Sequence, residues 1–236
     1  MTIPFMYLEC SDLREMELGG VVSTSVQTAL PWGNESAETS LTFQGVADDP
    51  RFERYEILYQ VVDDVDVIVN QENVRRLLEN RRFHAFYNRQ QGYFLVQTNR
   101  RDARNAFVRL AAASPPLAAD HHEINLLDVL QVGEPTGAHF GNLKIAKVRA
   151  AAVFGSTTVV DSEEWNHYAE LGELSIVYML ASTQGGDERA LQLLKDRSVV
   201  LMKHVNERQD LQFVAELQES LDEVLASPRT QNEVVP

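Results

Sequence analysis

The sequence contains few thiols, no long apolar run and no secretory signal. Its single cysteine, Cys10, excludes an intrachain disulfide and a thiolate metal cluster. No apolar run approaches the roughly 18 residues needed to span a bilayer. The first residues lack the positive segment and the cleavage site of a signal peptide. We therefore expect a soluble, cytoplasmic protein without a membrane partner.

Common catalytic motifs are also missing. The chain has no Gly-x-x-x-x-Gly-Lys-Ser/Thr loop, no Gly-x-Gly-x-x-Gly and no Gly-x-Ser-x-Gly elbow. Glu164 and His167 form half of a di-iron carboxylate motif, and residues 120–123 (Asp-His-His-Glu) cluster metal-ligand types. Neither group has partners at a recognisable spacing, so we predict no catalytic residue, no metal and no cofactor.

Charge is distributed unevenly along the chain. The protein carries 21 basic and 35 acidic residues, for a formal net charge of −14. Residues 73–113 nevertheless hold nine arginines and only two acids, whereas residues 1–72 and 114–236 are acidic. The average field repels phosphate, so an anionic partner would have to meet this central arginine zone. Seventeen arginines against four lysines would also follow from a GC-rich genome.

Hydrophobic periodicity predicts an α+β protein. We predict a β-rich acidic part over residues 1–56, a central unit over 57–132, a mixed C-terminal part over 133–226 and a mobile tail over 227–236. The central unit is predicted as a strand over 65–69, a helix over 71–81 capped by Asn70, a hairpin of 83–87 with 93–98, a helix capped by Asn99, and a strand over 124–130.

This order of central elements, β-α-β-β-α-β, resembles the ferredoxin-like topology over about residues 60–132. A winged helix, with the same hairpin as its wing, is the alternative. Residues 92–98 also partly resemble the third-strand motif of the RNA-recognition family, because they share its glycine, the following aromatic and the valine. Leu95 and Thr98 stand where that family has further aromatics, and Asp66 stands at a first-strand position that is usually aromatic. The resemblance implies stacking of bases on a sheet.

The C-terminal part is predicted to contain strands followed by an amphipathic helical region. We predict strands over 143–148, 150–154 and 174–180, with a short helix capped by Asp161 or Ser162 that stops at Gly172. A helix beginning at Glu188, after an Asp187 cap, would continue as a helical hairpin or one bent helix to residue 224.

The arginines at the start of the second predicted helix lie at its N-terminus, where the helix dipole already gives a positive potential. Arg100, Arg101 and Arg104 would occupy its first turn and a half, where cations are misplaced unless an anion joins them. That anion could be a phosphate or a carboxylate from the acidic flanking zones. The interleaved aromatics could stack bases or pack into the core. The predicted anion and nucleic-acid-binding residues are Arg82, Arg89, Tyr93, Arg100, Arg101, Arg104 and Arg109.

Three functions follow from this pattern. The first is a non-catalytic protein that binds RNA or DNA phosphates through the central arginine zone. The second is an interaction or assembly subunit, with an acidic protein surface as partner, that forms homo-oligomers by charge complementarity and through its C-terminal helix. The third is a degenerate metal-dependent nuclease, whose scattered acids would leave no motif.

Overall fold

The computed structural model describes residues 2–10, 13, 21–30, 33–69, 72–145, 147–155, 158–160, 162–183 and 185–227. Within these residues the chain is an α+β protein with eleven β-strands, three α-helices and one 3₁₀ helix. It divides into two compact units, one of Pro4–His121 and one of Met1–Ile3 with His122–Pro236. Most of the predicted segments 1–56 and 57–132 lie in the first of these, the N-terminal unit.

The N-terminal unit is an antiparallel sheet with one helix. Its elements are β1 (Ile3–Glu9), β2 (Val21–Leu30), β3 (Gly33–Val46), β4 (Phe52–Val69), β5 (Glu72–Asn88), β6 (Tyr93–Val96) and α1 (Arg100–Leu110). The strands lie in the order β2-β3-β4-β5-β6-β1. Alternate residues of β4, such as Tyr55, Ile57 and Tyr59, are buried in a core that also contains Phe94 and Phe107. The period-two burial is what a sheet with one covered face requires.

The predicted helix over residues 71–81 is wrong, because β5 runs through this segment. β5 pairs with β4 along most of its length, for example Leu78 with Val62 and Arg82 with Leu58. The predicted strand over 124–130 is also wrong, since Leu126–Val132 is a 3₁₀ helix. Without these two elements there is no ferredoxin-like unit, and the winged-helix alternative lacks the helix before its hairpin.

Two other predictions for this unit are confirmed. The hairpin forms between β5 and β6, with Asn88 opposite Tyr93. Asn99 caps α1, where its side chain accepts a hydrogen bond from the backbone N–H of Asp102 at 2.9 Å. Both features depend on neighbouring residues, and local signals of this kind are the ones a sequence reveals most directly.

The strands of the C-terminal unit also pair antiparallel. Its elements are a 3₁₀ helix (Leu126–Val132), β7 (Glu134–Gly141), β8 (Ala151–Phe154), α2 (Glu163–Leu171), β9 (Glu173–Ser182), β10 (Glu188–Leu194), β11 (Val199–Leu201) and α3 (Glu207–Ala226). The strands lie in the order β11-β10-β9-β7-β8. The predicted strands at 150–154 and 174–180 are confirmed, as is the short helix with Ser162 as its cap and Gly172 at its end.

Two predictions for the C-terminal unit are wrong. The described residues among 143–148 lie outside any strand, and the segment beginning at Glu188 is the strand β10, which pairs with β9 and β11. Arg189, Leu191 and Leu193 are buried on one face of β10, so its burial period is two. Only the last part of the predicted helical region is helical, as α3. Asp161 and residues 228–236 of the predicted tail lie outside the described residues.

Candidate functional site

Pairing of β4 with β5 brings the acidic zone and the arginine zone of the sequence together. Arg89 holds Glu53 with two hydrogen bonds, of which Nε to Oε1 is 2.9 Å. Arg82 donates from Nη1 to Oε1 of Glu56 at 2.7 Å. Two of the predicted anion-binding arginines therefore already have carboxylate partners within the sheet.

Arg81 lies at the centre of a larger ion-pair network. Its guanidinium donates to Asp63 Oδ2 at 3.0 Å, to Glu79 Oε2 at 2.7 Å and to Asp102 Oδ1 at 2.8 Å. The hydrogen bond from Arg81 lowers the pKa of Glu79, and the hydrogen bond with Glu79 raises the pKa of Asp63. The same carboxylate partners, led by Glu79, raise the pKa of Arg81. No local sequence pattern indicates a role for Arg81, because its partners come from three different elements.

Tyr93, the predicted base-stacking residue, lies in the core. Its residue surface is 1% exposed, and its ring packs 4.9 Å from the ring of Tyr7 and 6.1 Å from that of Phe52. Neither face of the ring is open to a base. The neighbouring aromatics Phe86, Tyr87 and Phe94 are also fully buried, so they pack into the interior, which was the other possibility considered for them.

The arginines of α1 occupy different environments. Arg109 donates from Nη1 to the carbonyl oxygen of Gln60 at 2.6 Å, and its guanidinium lies 4.7 Å from the ring centroid of Tyr59. Arg100 and Arg104 are half-buried. Arg101 is exposed on the outer face of the helix, together with Val108. These four side chains therefore do not form one open cationic surface.

The distal part of the β4–β5 hairpin is a two-stranded ribbon. Pairing of β3 with β4 ends at Thr39 and Tyr59, and pairing of β5 with β6 begins only at Ala85. Between these points β4 and β5 pair with each other, and the described residues supply no further strand on either side. We call residues 60–69 of β4 and 72–82 of β5 the two-stranded ribbon. Its length is about 33 Å, from ten residues at the usual rise of a strand.

Some of the described side chains on the ribbon are exposed, and two of these are apolar. Ile68 is 74% exposed and Leu77 is 40% exposed. A ribbon of two strands is at best marginally stable in water on its own, and among the described residues α1 contacts it only near its base, where Arg109 bonds Gln60 and Asp102 bonds Arg81. Beyond Gln60, whose carbonyl oxygen already accepts from Arg109, the two outer edges of the ribbon carry backbone N–H and C=O groups to which the described residues add no strand.

The C-terminal unit contains a buried charge cluster that the sequence analysis did not identify. Asp210 is fully buried and accepts hydrogen bonds from Arg189 Nη1 and His204 Nδ1, both at 2.5 Å. Arg189 also pairs with Asp187 at 2.7 Å and lies 5.1 Å from the ring centroid of Phe213. The only local signal was that His204 and Asp210 lie on either side of Asn206, the cap of α3.

The charged groups of this cluster pair with one another. The carboxylate of Asp210 lies between two basic groups and also accepts from the backbone N–H of Val205 at 3.3 Å. A cavity of about 250 Å³ adjoins Arg189 and is lined also by Thr183, Gln209 and Phe213. Because the ion pairs satisfy Arg189 on both sides, the geometry favours a structural role that joins β10 to the start of α3.

Within the described part of the chain, no group of three or more His, Cys, Asp and Glu side chains could hold a metal ion. None of the described helices is both long enough and apolar enough to cross a bilayer. The apolar residues Leu211, Val214 and Leu221 of α3 are buried.

Together these features define an α+β protein with an antiparallel sheet, in which the described residues supply no strand neighbours to the two-stranded ribbon. No protein-family model matches the chain, and no curated protein matches it in sequence.

Proposed function

We propose that this protein is a non-catalytic assembly subunit that associates with other copies of itself through the two-stranded ribbon. One observation carries the proposal: the ribbon has two outer edges to which the described residues add no strand. Strand edges of this kind pair readily with a further strand, and edge pairing is a common mode of protein recognition.

Charge favours a protein partner over nucleic acid. Arg81, Arg82 and Arg89 are matched with carboxylates of the same sheet, so phosphates would have to compete with existing ion pairs. The net charge of −14 adds a general repulsion of phosphate. Binding of RNA or DNA through the arginine zone is the competing proposal.

The position of α3 supports the ribbon as the association element. Self-association through the C-terminal helix would need an exposed apolar face, and Leu211, Val214 and Leu221 of α3 are buried. The ribbon instead exposes apolar side chains, such as Ile68 and Leu77, beside charged ones. Mixed surfaces of this kind are usual where subunits associate reversibly.

The test compares the full chain with a variant that has a shortened ribbon. Gln60 and Asn80 face each other across the hairpin, so residues 61–79 can be replaced by a two-residue Asn-Gly turn. Sedimentation equilibrium is expected to show that the full chain self-associates at low salt and that the shortened variant is monomeric with an intact circular dichroism spectrum. A monomeric full chain, or a shortened variant that associates equally well, overturns the proposal.

A second experiment tests nucleic-acid binding by fluorescence polarisation, with labelled single-stranded and duplex nucleic acid across a salt series. The control variant Arg100→Ala/Arg101→Ala/Arg104→Ala removes charge from α1 and leaves the ribbon intact. The assembly proposal predicts no salt-dependent binding by either protein. Binding that falls steeply with salt, and that this variant weakens, favours the nucleic-acid function instead.

A further inference from the structure

The strand β8 lies at an edge of the sheet, since the strand order ends with it and the described residues add no strand beyond it. The backbone N–H of Gly155 donates to the carbonyl oxygen of Thr136 on β7 at 3.0 Å. Backbone groups alternate along a strand, so those of Val153 also face β7, whereas those of Ala152 and Phe154 face away from it. These two residues of β8 can therefore pair with a strand from outside.

The side chains of β8 do not protect this edge. The strand contains no charged residue and no proline, which are the residues that often keep other strands away. Ala152 is exposed, and the side chain of Phe154 is 60% exposed. The ring of Phe154 lies 5.0 Å from the ring of Tyr178 and 5.7 Å from that of His139, so it is held beside the sheet with much of its surface open. An added strand would cover this aromatic side chain as well as the backbone.

The segment that leads from β7 into β8 is basic. Residues 135–160 contain three basic residues and no acid, although the formal net charge of the protein is −14. The three are Lys144, Lys147 and Arg149, which are exposed and have no ion pair within the part of the chain that the structure describes. Val148 between them is 40% exposed. Acidic groups are therefore attracted to the place where the backbone of β8 is open.

Strand pairing favours a peptide over other anionic partners. The N–H and C=O groups of an edge strand are matched by the backbone of another strand, and this mode of recognition is common for extended peptides. A phosphate chain has acceptors for the basic side chains but no N–H groups for the open carbonyl oxygens of β8. An extended peptide with acidic side chains satisfies the backbone and the charges together.

We infer that the β8 edge is a docking site for an acidic, extended segment of another protein. The segment adds a strand beside β8, places apolar side chains next to Phe154, and places carboxylates near Lys144, Lys147 and Arg149. This site lies outside the two-stranded ribbon, so the inference goes beyond the proposed function and does not depend on it.

Fluorescence polarisation with the full chain tests the chemistry of the partner. The probe is a labelled peptide of sequence Glu-Val-Glu-Val-Glu-Val-Glu, compared with the same peptide carrying Lys for Glu and with a labelled oligothymidylate of the same charge. We expect saturable binding of the acidic peptide that weakens with salt, no binding of the lysine peptide, and binding of the oligothymidylate at least about tenfold weaker. Equal binding of the two anions overturns the inference.

A proline substitution tests the strand pairing itself. Ala152→Pro removes an N–H that faces away from β7, at an edge position where proline is tolerated, so the sheet should stay folded. We expect it to weaken binding of the acidic peptide by about tenfold. Ala152→Val is the matched control, because it keeps the N–H, and its affinity should stay within about twofold of the parent value. If Ala152→Pro binds as tightly as Ala152→Val, the inference is overturned.

A matched pair of charge variants tests the basic segment. Lys144→Gln/Arg149→Gln should weaken binding of the acidic peptide by about tenfold and reduce its salt dependence. Lys203→Gln/Arg208→Gln removes the same two residue types at exposed positions elsewhere in the C-terminal unit and should change it little. Equal effects of the two variants overturn the inference.

Sedimentation equilibrium separates this site from the association of copies. Ala152→Pro is expected to leave self-association of the full chain unchanged. If it weakens self-association instead, the occupant of the β8 edge is a second copy, and the inference is overturned while self-association itself stands.

Discussion

Arg81 on β5 donates a hydrogen bond to Asp102 on α1, with 2.8 Å between Nη1 and Oδ1. The other oxygen of the same carboxylate accepts from the side chain of Asn99, the cap of α1, at 2.7 Å. One buried carboxylate thus supports the start of the helix and ties it to the strand that continues into the ribbon. Asp102, one of only two acids among residues 73–113, therefore joins α1 to β5.

Replacing Asp102 should therefore destabilise the N-terminal unit. Asp102→Ala removes the acceptor of both Arg81 and Asn99, and we expect it to lower the free energy of unfolding by about 2–3 kcal/mol. Urea denaturation measures this change. Arg101→Ala, on the exposed face of the same helix, is the control and should stay within about 0.5 kcal/mol of the parent protein. Equal effects of the two substitutions would contradict the role assigned to Asp102.

The buried Arg189–Asp210 pair makes a stronger prediction for the C-terminal unit. Asp210→Ala leaves the Arg189 guanidinium, which is 8% exposed, without its buried partner. We expect a loss of about 3–5 kcal/mol, since breaking a buried pair leaves an uncompensated charge. Asp187→Ala removes the exposed partner of the same arginine and should cost less than about 1 kcal/mol. Thermal unfolding followed by circular dichroism would refute the prediction if the two variants melted together.

Tyr55 should make stability fall at alkaline pH. Burial, and then the negative charge of Glu53, raise the pKa of its hydroxyl, which donates to Glu53 Oε2 at 3.0 Å. Because the folded pKa is raised, the contribution of this group is complete below the unfolded tyrosine pKa of about 10 and is lost as the pH rises towards the folded value. Urea midpoints between pH 8 and pH 11 should fall less steeply in Tyr55→Phe. Tyr178→Phe, in the other unit, serves as control and should retain the parent slope.

Arg81 should also control the titration of Glu79. The lowered pKa of Glu79 comes first from its hydrogen bond with Arg81, so Arg81→Gln should raise this pKa towards the ordinary value. Because the folded pKa is lowered, the stabilisation is present above the unfolded glutamate pKa and is lost as the pH falls through the folded one. NMR titration of the Glu79 carboxyl carbon measures the shift. Arg82→Gln should leave it unchanged, because Arg82 pairs with Glu56.

Local signals account for the elements that were predicted correctly. The caps Asn99 and Ser162, and the hairpin turn between Asn88 and Tyr93, depend on residues a few positions apart. Residues 71–81 were misassigned because the apolar spacing of Val74, Leu77 and Leu78 also suits a helix. The pairing with β4, which decides the matter in favour of a strand, is not local. The same holds for the segment at Glu188, where β9 and β11 supply the partners.

The sequence by itself determined the α+β class, the uneven charge and the helix caps Asn99 and Ser162, because composition and short-range hydrogen bonding are readable residue by residue. Only the tertiary structure decided how those charges are used. By pairing β4 with β5, the fold places Glu53, Glu56 and Asp63 against Arg89, Arg82 and Arg81, and so neutralises much of a zone that looks cationic along the chain. The physical reason is that Coulomb attraction and strand pairing act over distances in space, and antiparallel pairing brings together residues separated by 18 to 36 positions.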